Sequence, residues 1–105
     1  MSAEEIYGQI IKEVPTAKKG KLFGAPSIKT LNGENVAFLW KDKMTFKLDE
    51  ESQQIALKLK GSTIGTHLYD EDKQMKAWVS IPKTNQHEWK RFTELALNFA
   101  SQLKK

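Results

Sequence analysis

Short runs of apolar and polar residues in the first half of the chain predict an antiparallel sheet. The stretch from Gly20 to Leu48 divides into three such runs. The Asn-Gly pair at 32–33 is a strong hairpin signal, and the polar Lys-Asp-Lys segment at 41–43 separates the second and third runs. Alternation sends successive side chains to opposite faces of a sheet. We therefore expect this stretch to form the centre of the fold, with the other elements packed against it.

The register of the second hairpin can be predicted from its symmetry about Asp42. A three-residue turn centred on Asp42 would bring the apolar residues of its two arms opposite each other, and this face is the predicted core. The predicted pairs are Trp40 with Met44, Phe38 with Phe46 and Val36 with Leu48. For the first hairpin two registers stay open. A loop of three residues, 32–34, sets Ile28 opposite Phe38, and a loop of two residues, 32–33, sets it opposite Ala37.

Three amphipathic segments predict helices around this sheet. The first begins at Ser2 and ends before Pro15, because the residue that precedes a proline avoids helical backbone angles. The second begins after Asp49 as N-cap, although its last residues also alternate as a strand would. The third follows a capping box of Asn85 and Glu88 and has one broad apolar face. We expect at least the last helix to lie on the sheet and close the core.

A fourth strand, from Gln74 to Ile81, is predicted between the second and third helices. The connection from Thr16 to Lys21 carries three lysines and is interpreted as a solvated loop. The chain is thus predicted to be a single α+β domain covering residues 1–105, a two-layer sandwich with an antiparallel sheet of about four to five strands. Helices stand at both ends and one lies between strands, in the order α-β-β-β-α-β-α.

Composition places the chain among ordinary globular proteins, with 39% hydrophobic and 29% charged residues. It contains no cysteine, which excludes disulfides and thiol chemistry and agrees with a cytoplasmic location. No apolar run approaches the length of a membrane span, and acidic residues stand where a signal peptide would carry basic ones. We therefore expect a protein that neither enters nor crosses a membrane.

The net charge of +4 permits binding to an anionic partner such as nucleic acid. The candidate phosphate contacts are the basic residues near the first bend, on the strands and on the last helix: Lys18, Lys19, Lys21, Lys29, Lys47, Lys90 and Arg91. Since arginine is the commonest reader of guanine and Arg91 is the only arginine, we do not expect sequence-specific reading of bases. Lysines scattered for solubility are the alternative interpretation.

The residues that point away from the predicted core define a second candidate surface. Ala37, Leu39 and Trp78 would lie together on the opposite face of the sheet. If helices cover only one face, these side chains form an association surface for a second copy of the chain or for a regulatory protein. If both faces are covered, they are core residues instead.

Patterns that carry catalysis or metal binding are not found. The two histidines, His67 and His87, lack the spacing of metal ligands, and Ser27 lacks the G-x-S-x-G setting of a nucleophile. A glycine-rich phosphate loop is not found either. We therefore expect a non-enzyme that takes no metal, cofactor or small-molecule ligand. An enzyme that uses one of the histidines is the least favoured alternative.

Four short blocks follow one another in a characteristic order. They are KLFGAPS at 21–27, NG with VAF at 32–38, D with MTFKL at 42–48, and MKAWVSIP at 75–82. In this order they resemble the N-terminal domain of the TfoX (Sxy) competence-regulator family and, more distantly, the YjbR/MmcQ group. The resemblance extends over nearly the whole chain. It implies a two-layer fold with an antiparallel sheet, a link to transcriptional regulation and no known enzymatic activity.

The function expected from the sequence is therefore a small, non-enzymatic, cytoplasmic regulatory module. Two alternatives remain beside it. One is a homodimerising interaction module that uses the second face of the sheet, and the other is a weak, sequence-nonspecific binder of nucleic acid.

Overall fold

A single antiparallel sheet forms the frame of the protein. A computed structural model describes residues 2–22, 24–67 and 70–103, and the side chains of 66–67, 70–76 and 103 lie outside this description. The strands of the sheet follow the spatial order β1-β2-β3-β4-β6-β5. In chain order they are β1 (Lys18–Leu22), β2 (Ala25–Lys29), β3 (Asn35–Trp40), β4 (Lys43–Lys47), β5 (Thr63–His67) and β6 (Asp70–Pro82).

Three α-helices pack on one face of this sheet. They are α1 (Ala3–Glu13), α2 (Glu50–Leu57) and α3 (Trp89–Leu103), the last preceded by a 3-10 segment, Lys83–Glu88. Trp89 is fully buried and its indole nitrogen donates to the Ile81 carbonyl at 3.1 Å. The Phe46 and Phe92 rings lie 6.1 Å apart in the same core. The predicted α+β class with helices layered on an antiparallel sheet is confirmed.

Two of the three N-caps that the sequence predicts are confirmed. Ser2 caps α1 by accepting from the Glu5 amide at 3.1 Å, and Asp49 caps α2 by accepting from the Ser52 amide at 2.8 Å. The predicted capping box at Asn85 is wrong. Its side chain instead donates to the Lys60 carbonyl at 2.7 Å, and α3 begins only at Trp89.

The sheet has two more strands than the element order predicted, which makes the predicted strand number too low. The predicted solvated loop at 16–21 is largely β1, an edge strand paired with β2. Its Lys18, Lys19 and Lys21 are exposed, so no apolar alternation marks it as a strand. Charged side chains on an edge strand also prevent pairing with other chains. The other addition is β5, which pairs with β6 at the opposite edge.

The register predicted for the second hairpin is wrong. Its turn has only two residues, Lys41 and Asp42, with φ of 50° and 60°. Positive φ at both central residues defines the turn whose twist matches an antiparallel hairpin. The pairs formed are Leu39 with Met44, Ala37 with Phe46 and Phe38 with Thr45. Relative to the prediction, β3 is shifted by one residue against β4, so its alternate side chains exchange faces.

The first hairpin combines features of both registers that the sequence left open. Ile28 lies opposite Ala37, as a two-residue loop would place it. The loop nevertheless has three residues, 31–33, since the Thr30 amide donates to the Glu34 carbonyl at 2.8 Å. A bulge at Val36 makes up the difference, and Val36 is buried in the main core.

Candidate functional site

The face of the sheet away from the helices carries its own apolar cluster. Ala25 and Phe38 are each 1% exposed, and Leu22, Trp40 and Trp78 are partly buried around them. The Phe38 and Trp78 rings lie 5.5 Å apart, centroid to centroid, with their planes at 43°. We call these five residues the aromatic face. It is separate from the core that the helices cover.

A small residue on the central strand brings these rings together. Phe38 is on β3 and Trp78 is on β6, with β4 between them. The β4 residue opposite Phe38 is Thr45, which also lies opposite Ser80 on β6. The Thr45 and Ser80 hydroxyls are hydrogen bonded at 3.0 Å. Because this pair rises little above the sheet, the larger rings on either side can meet across it.

The same register places lysines beside the aromatic rings. Residues directly opposite each other on antiparallel strands project from the same face. Lys43 lies opposite Trp40, and Lys47 lies opposite Trp78. A lysine is therefore the cross-strand neighbour of each tryptophan of the aromatic face.

Two further lysines lie at the other end of this face. Lys18 on β1 is opposite Lys29 on β2. The side chain of Lys29 lies across Gly20, where an added Cβ would come within 2.5 Å of the Lys29 Cε. Gly20 thus lets the aliphatic part of Lys29 lie flat against the strand. Together with Lys43 and Lys47, these residues form what we call the basic frame.

The basic frame makes this face electropositive. None of its four lysines forms an ion pair with a residue in the described part of the chain. The cross-strand pairs within residues 18–47 and 78–82 show which strand residues project to this face. None of those residues is acidic. Trp40 and Trp78 each retain partial exposure. Within the described part of the chain, the face therefore combines partly exposed indole rings with lysines that form no ion pair.

The basic residues selected from the sequence do not form one surface. Lys18 belongs to the basic frame, whereas Lys19 and Lys21 project to the helix side, since they lie opposite the core residue Ile28 and Pro26. Lys90 and Arg91 are at the start of α3.

The two α3 cations are already engaged. The Lys90 ammonium lies 3.4 Å from the Glu13 carboxylate, and the Arg91 guanidinium lies 3.5 Å from that of Glu88. Arg91 also lies 5.5 Å over the Phe92 ring. These partners reduce the charge that either residue offers to a phosphate.

Two of the three residues predicted for the second face lie elsewhere. Ala37 and Leu39 are buried under the helices, at 0% and 4% exposure, because β3 is shifted by one residue. Trp78 lies where it was predicted. Phe38 and Trp40 take the places of Ala37 and Leu39, because the turn at 41–42 has two residues instead of three.

The remaining sequence candidates gain no catalytic setting. His87 is exposed on the 3-10 segment, and the side chain of His67 lies outside the described residues. Among the described residues no three His, Cys, Asp or Glu side chains could hold a metal ion together. Ser27 is buried and its hydroxyl donates to the Asn35 side chain at 2.8 Å.

The helices described for this chain include none that is both long and apolar enough to cross a membrane.

The fold and its site thus define a small α+β domain with one helix-free sheet face that is aromatic and basic. Comparison of the chain with protein-family models, with curated proteins and with solved structures finds no match.

Proposed function

We propose that this chain is a non-enzymatic regulatory domain of the cytoplasm that binds single-stranded nucleic acid through the aromatic face. The observation that carries the proposal is the pairing of Trp40 with Lys43 and of Trp78 with Lys47 on one face. A partly exposed ring gives an unpaired base a surface on which to stack, and the neighbouring ammonium group gives its phosphate a counter-charge. The resemblance to TfoX N-terminal domains agrees with a regulatory role.

The shape and composition of the face favour single strands and tolerance of sequence. A sheet face cannot enter a duplex groove as a helix or a two-stranded ribbon can. None of the strand residues assigned to the face is an arginine. Stacking on aromatic rings and lysine contacts to phosphates both act on any base sequence.

The charge of the basic frame also argues against self-association as the main role of this face. A two-fold dimer built on it would bring the lysines of both copies into one interface. Like charges across an interface are unfavourable unless anions separate them. A polyanion satisfies both the rings and the lysines, whereas a second copy satisfies only the rings.

Fluorescence anisotropy with a labelled short oligothymidylate tests the proposal. We expect binding at low salt that weakens as salt rises, with the logarithm of the association constant falling linearly with the logarithm of the salt concentration. Each phosphate contact to a single strand contributes about −0.7 to that slope, so four lysine contacts would give about −3. A matched duplex should bind more weakly.

Variants assign the binding to the face. Replacing both Lys43 and Lys47 by Gln should make the slope shallower by about 1.4. The control is Lys58→Gln, because Lys58 is exposed at the end of α2 on the helix side. Trp78→Leu should weaken binding by about 1–3 kcal/mol through loss of stacking. Circular dichroism checks that each variant is folded.

Three outcomes would contradict this function. One is the absence of binding even at low salt. Another is a Lys43→Gln, Lys47→Gln protein that binds as the wild type does. The third is sedimentation behaviour of a stable dimer that Trp78→Lys converts to a monomer, which would assign the face to self-association.

A further inference from the structure

A second candidate site lies on the helix side of the sheet, between α1 and the edge strand β1. It is a groove of about 730 Å³, within the range of sites that hold small organic molecules. Tyr7 and Ile11 line it from the helix and Pro26 from β2. These side chains give the groove an apolar floor.

The middle of the helix wall is open because position 8 is a glycine. A Cβ built on Gly8 would meet nothing within 4 Å. Glu4 and Ile11 line the groove one turn before and after it. An apolar body can therefore lie against the helix backbone at Gly8.

The floor of the groove is fixed by hydrogen bonding. Tyr7 is 5% exposed, and its hydroxyl donates to the Ser27 carbonyl at 2.6 Å. Burial raises the pKa of Tyr7, against a smaller opposing effect of a hydrogen bond from the Gly20 backbone. The phenol is thus held as a neutral group between the two strands, and a ligand meets a preformed surface.

The charged residues at the groove carry an excess of one positive charge. Lys19 and Lys21 line it from β1, and Glu4 is the carboxylate among the lining residues of the described chain. Lys19 and Lys21 stand two residues apart on a strand, so both project to the same side, about 7 Å apart at their bases. Both are exposed, so their ammonium groups can close over a bound anion.

We infer that this groove binds a small amphipathic monoanion, with its apolar body on Ile11 and Pro26 and its carboxylate between Lys19 and Lys21. The single negative charge matches the net charge of the lining residues, and the volume suits a body of one or two rings. The sequence alone carries no sign of this site, because it is built from residues of three separate elements.

Titration of the ¹⁵N-labelled protein with 1-naphthoate, followed by NMR, tests the inference. We expect the amide signals of Gly8, Ile11 and Gly20 to shift together. The uncharged 1-naphthamide has the same rings, so it should shift the same signals but bind about fivefold more weakly, as expected for one exposed charge interaction. Shifts that fall outside the groove, or equal affinities for the two probes, would overturn the inference.

Two substitutions at Gly8 form a matched pair. Gly8→Leu should fill the groove and abolish the shifts caused by naphthoate, whereas Gly8→Ala adds one methyl group and should keep them. Replacing Lys19 and Lys21 by Gln should remove the preference for the acid while leaving binding of the amide unchanged. Unaltered naphthoate binding in Gly8→Leu, with the protein folded, refutes the site. Oligonucleotide binding in Gly8→Leu should equal that of the wild type, which separates this site from the aromatic face.

Discussion

Replacing Tyr7 by Phe removes a single hydroxyl from the junction of α1, β1 and β2. That hydroxyl donates to the Ser27 carbonyl at 2.6 Å. Ser27 lies opposite Gly20 of β1, whose backbone also acts on the pKa of Tyr7. The hydroxyl therefore links the first helix to β2 at the point where β1 is paired with it.

The expected cost follows from the groups that are left behind. Ser27 is fully buried in β2, a strand that is paired on both sides, so its carbonyl loses one hydrogen bond that water cannot replace. The net contribution of one such bond is about 0.5–1.5 kcal/mol. We therefore expect Tyr7→Phe to lower the free energy of unfolding by about 1 kcal/mol.

Urea unfolding followed by tryptophan fluorescence measures this difference. The urea midpoint should fall while the m-value stays the same, since the surface exposed on unfolding hardly changes. Thr16→Val is the control, because it also removes one hydroxyl but at an exposed position. Its effect should stay within about 0.5 kcal/mol.

The pH dependence gives a second, independent test. Burial raises the pKa of Tyr7 above its ordinary value of 10.0, so the folded state holds the phenolic proton more tightly than the unfolded state. The contribution of the hydroxyl is complete below pH 10.0 and declines as the pH rises through the folded-state pKa. The difference in the free energy of unfolding between the wild type and Tyr7→Phe should become smaller at alkaline pH. A difference that becomes larger there, or one below about 0.5 kcal/mol at neutral pH, would refute the reasoning.

Three further substitutions test other parts of the fold by the same urea assay. Ala77 has a φ of 77°, a backbone angle that costs an alanine about 1–2 kcal/mol. Ala77→Gly should therefore stabilise the protein by about 0.5 kcal/mol, once the greater conformational entropy of glycine in the unfolded state is subtracted. A loss of stability would contradict this. Asp49→Ala should cost about 1 kcal/mol by removing the cap of α2, while Asp49→Asn should cost less. Hydrogen bonds from Ser52 lower the pKa of Asp49. The loss of stability in Asp49→Ala should therefore be present at neutral pH and disappear as the pH falls through the folded-state pKa. A loss that persists in strong acid would contradict the cap. Trp89→Phe should cost about 1–3 kcal/mol, because it leaves the buried Ile81 carbonyl without its donor at 3.1 Å, and an unchanged midpoint would exclude that bond.

Elements with a strong local signal could be predicted from the sequence. The first helix has its cap at Ser2 and a repeating apolar face, and both are local properties of the chain. The same holds for α2 after Asp49. The edge strand β1 could not be predicted in this way, since an edge strand in solvent needs no apolar face and its lysines are equally typical of a loop.

The register of the second hairpin could not be derived from the apolar pattern. Residues 36–40 are all apolar, so the pattern leaves open which alternate set faces the helices. The choice depends on backbone angles at Lys41 and Asp42, and neither residue is a glycine that would indicate positive φ. That the lysines of the basic frame share one face is known only from this register, because they are adjacent across strands and distant along the chain.

The two candidate sites share one structural element, the edge strand β1. Alternate residues of this strand serve opposite faces: Lys18 belongs to the basic frame, whereas Lys19 and Lys21 line the groove. The hydroxyl of Tyr7 gives a side-chain hydrogen bond between the first helix and β2, the strand to which β1 is paired. Loosening that link should therefore weaken oligonucleotide and naphthoate binding together. Substitution of a lysine on one face should weaken only one of them, since each ammonium group projects to a single side of the sheet.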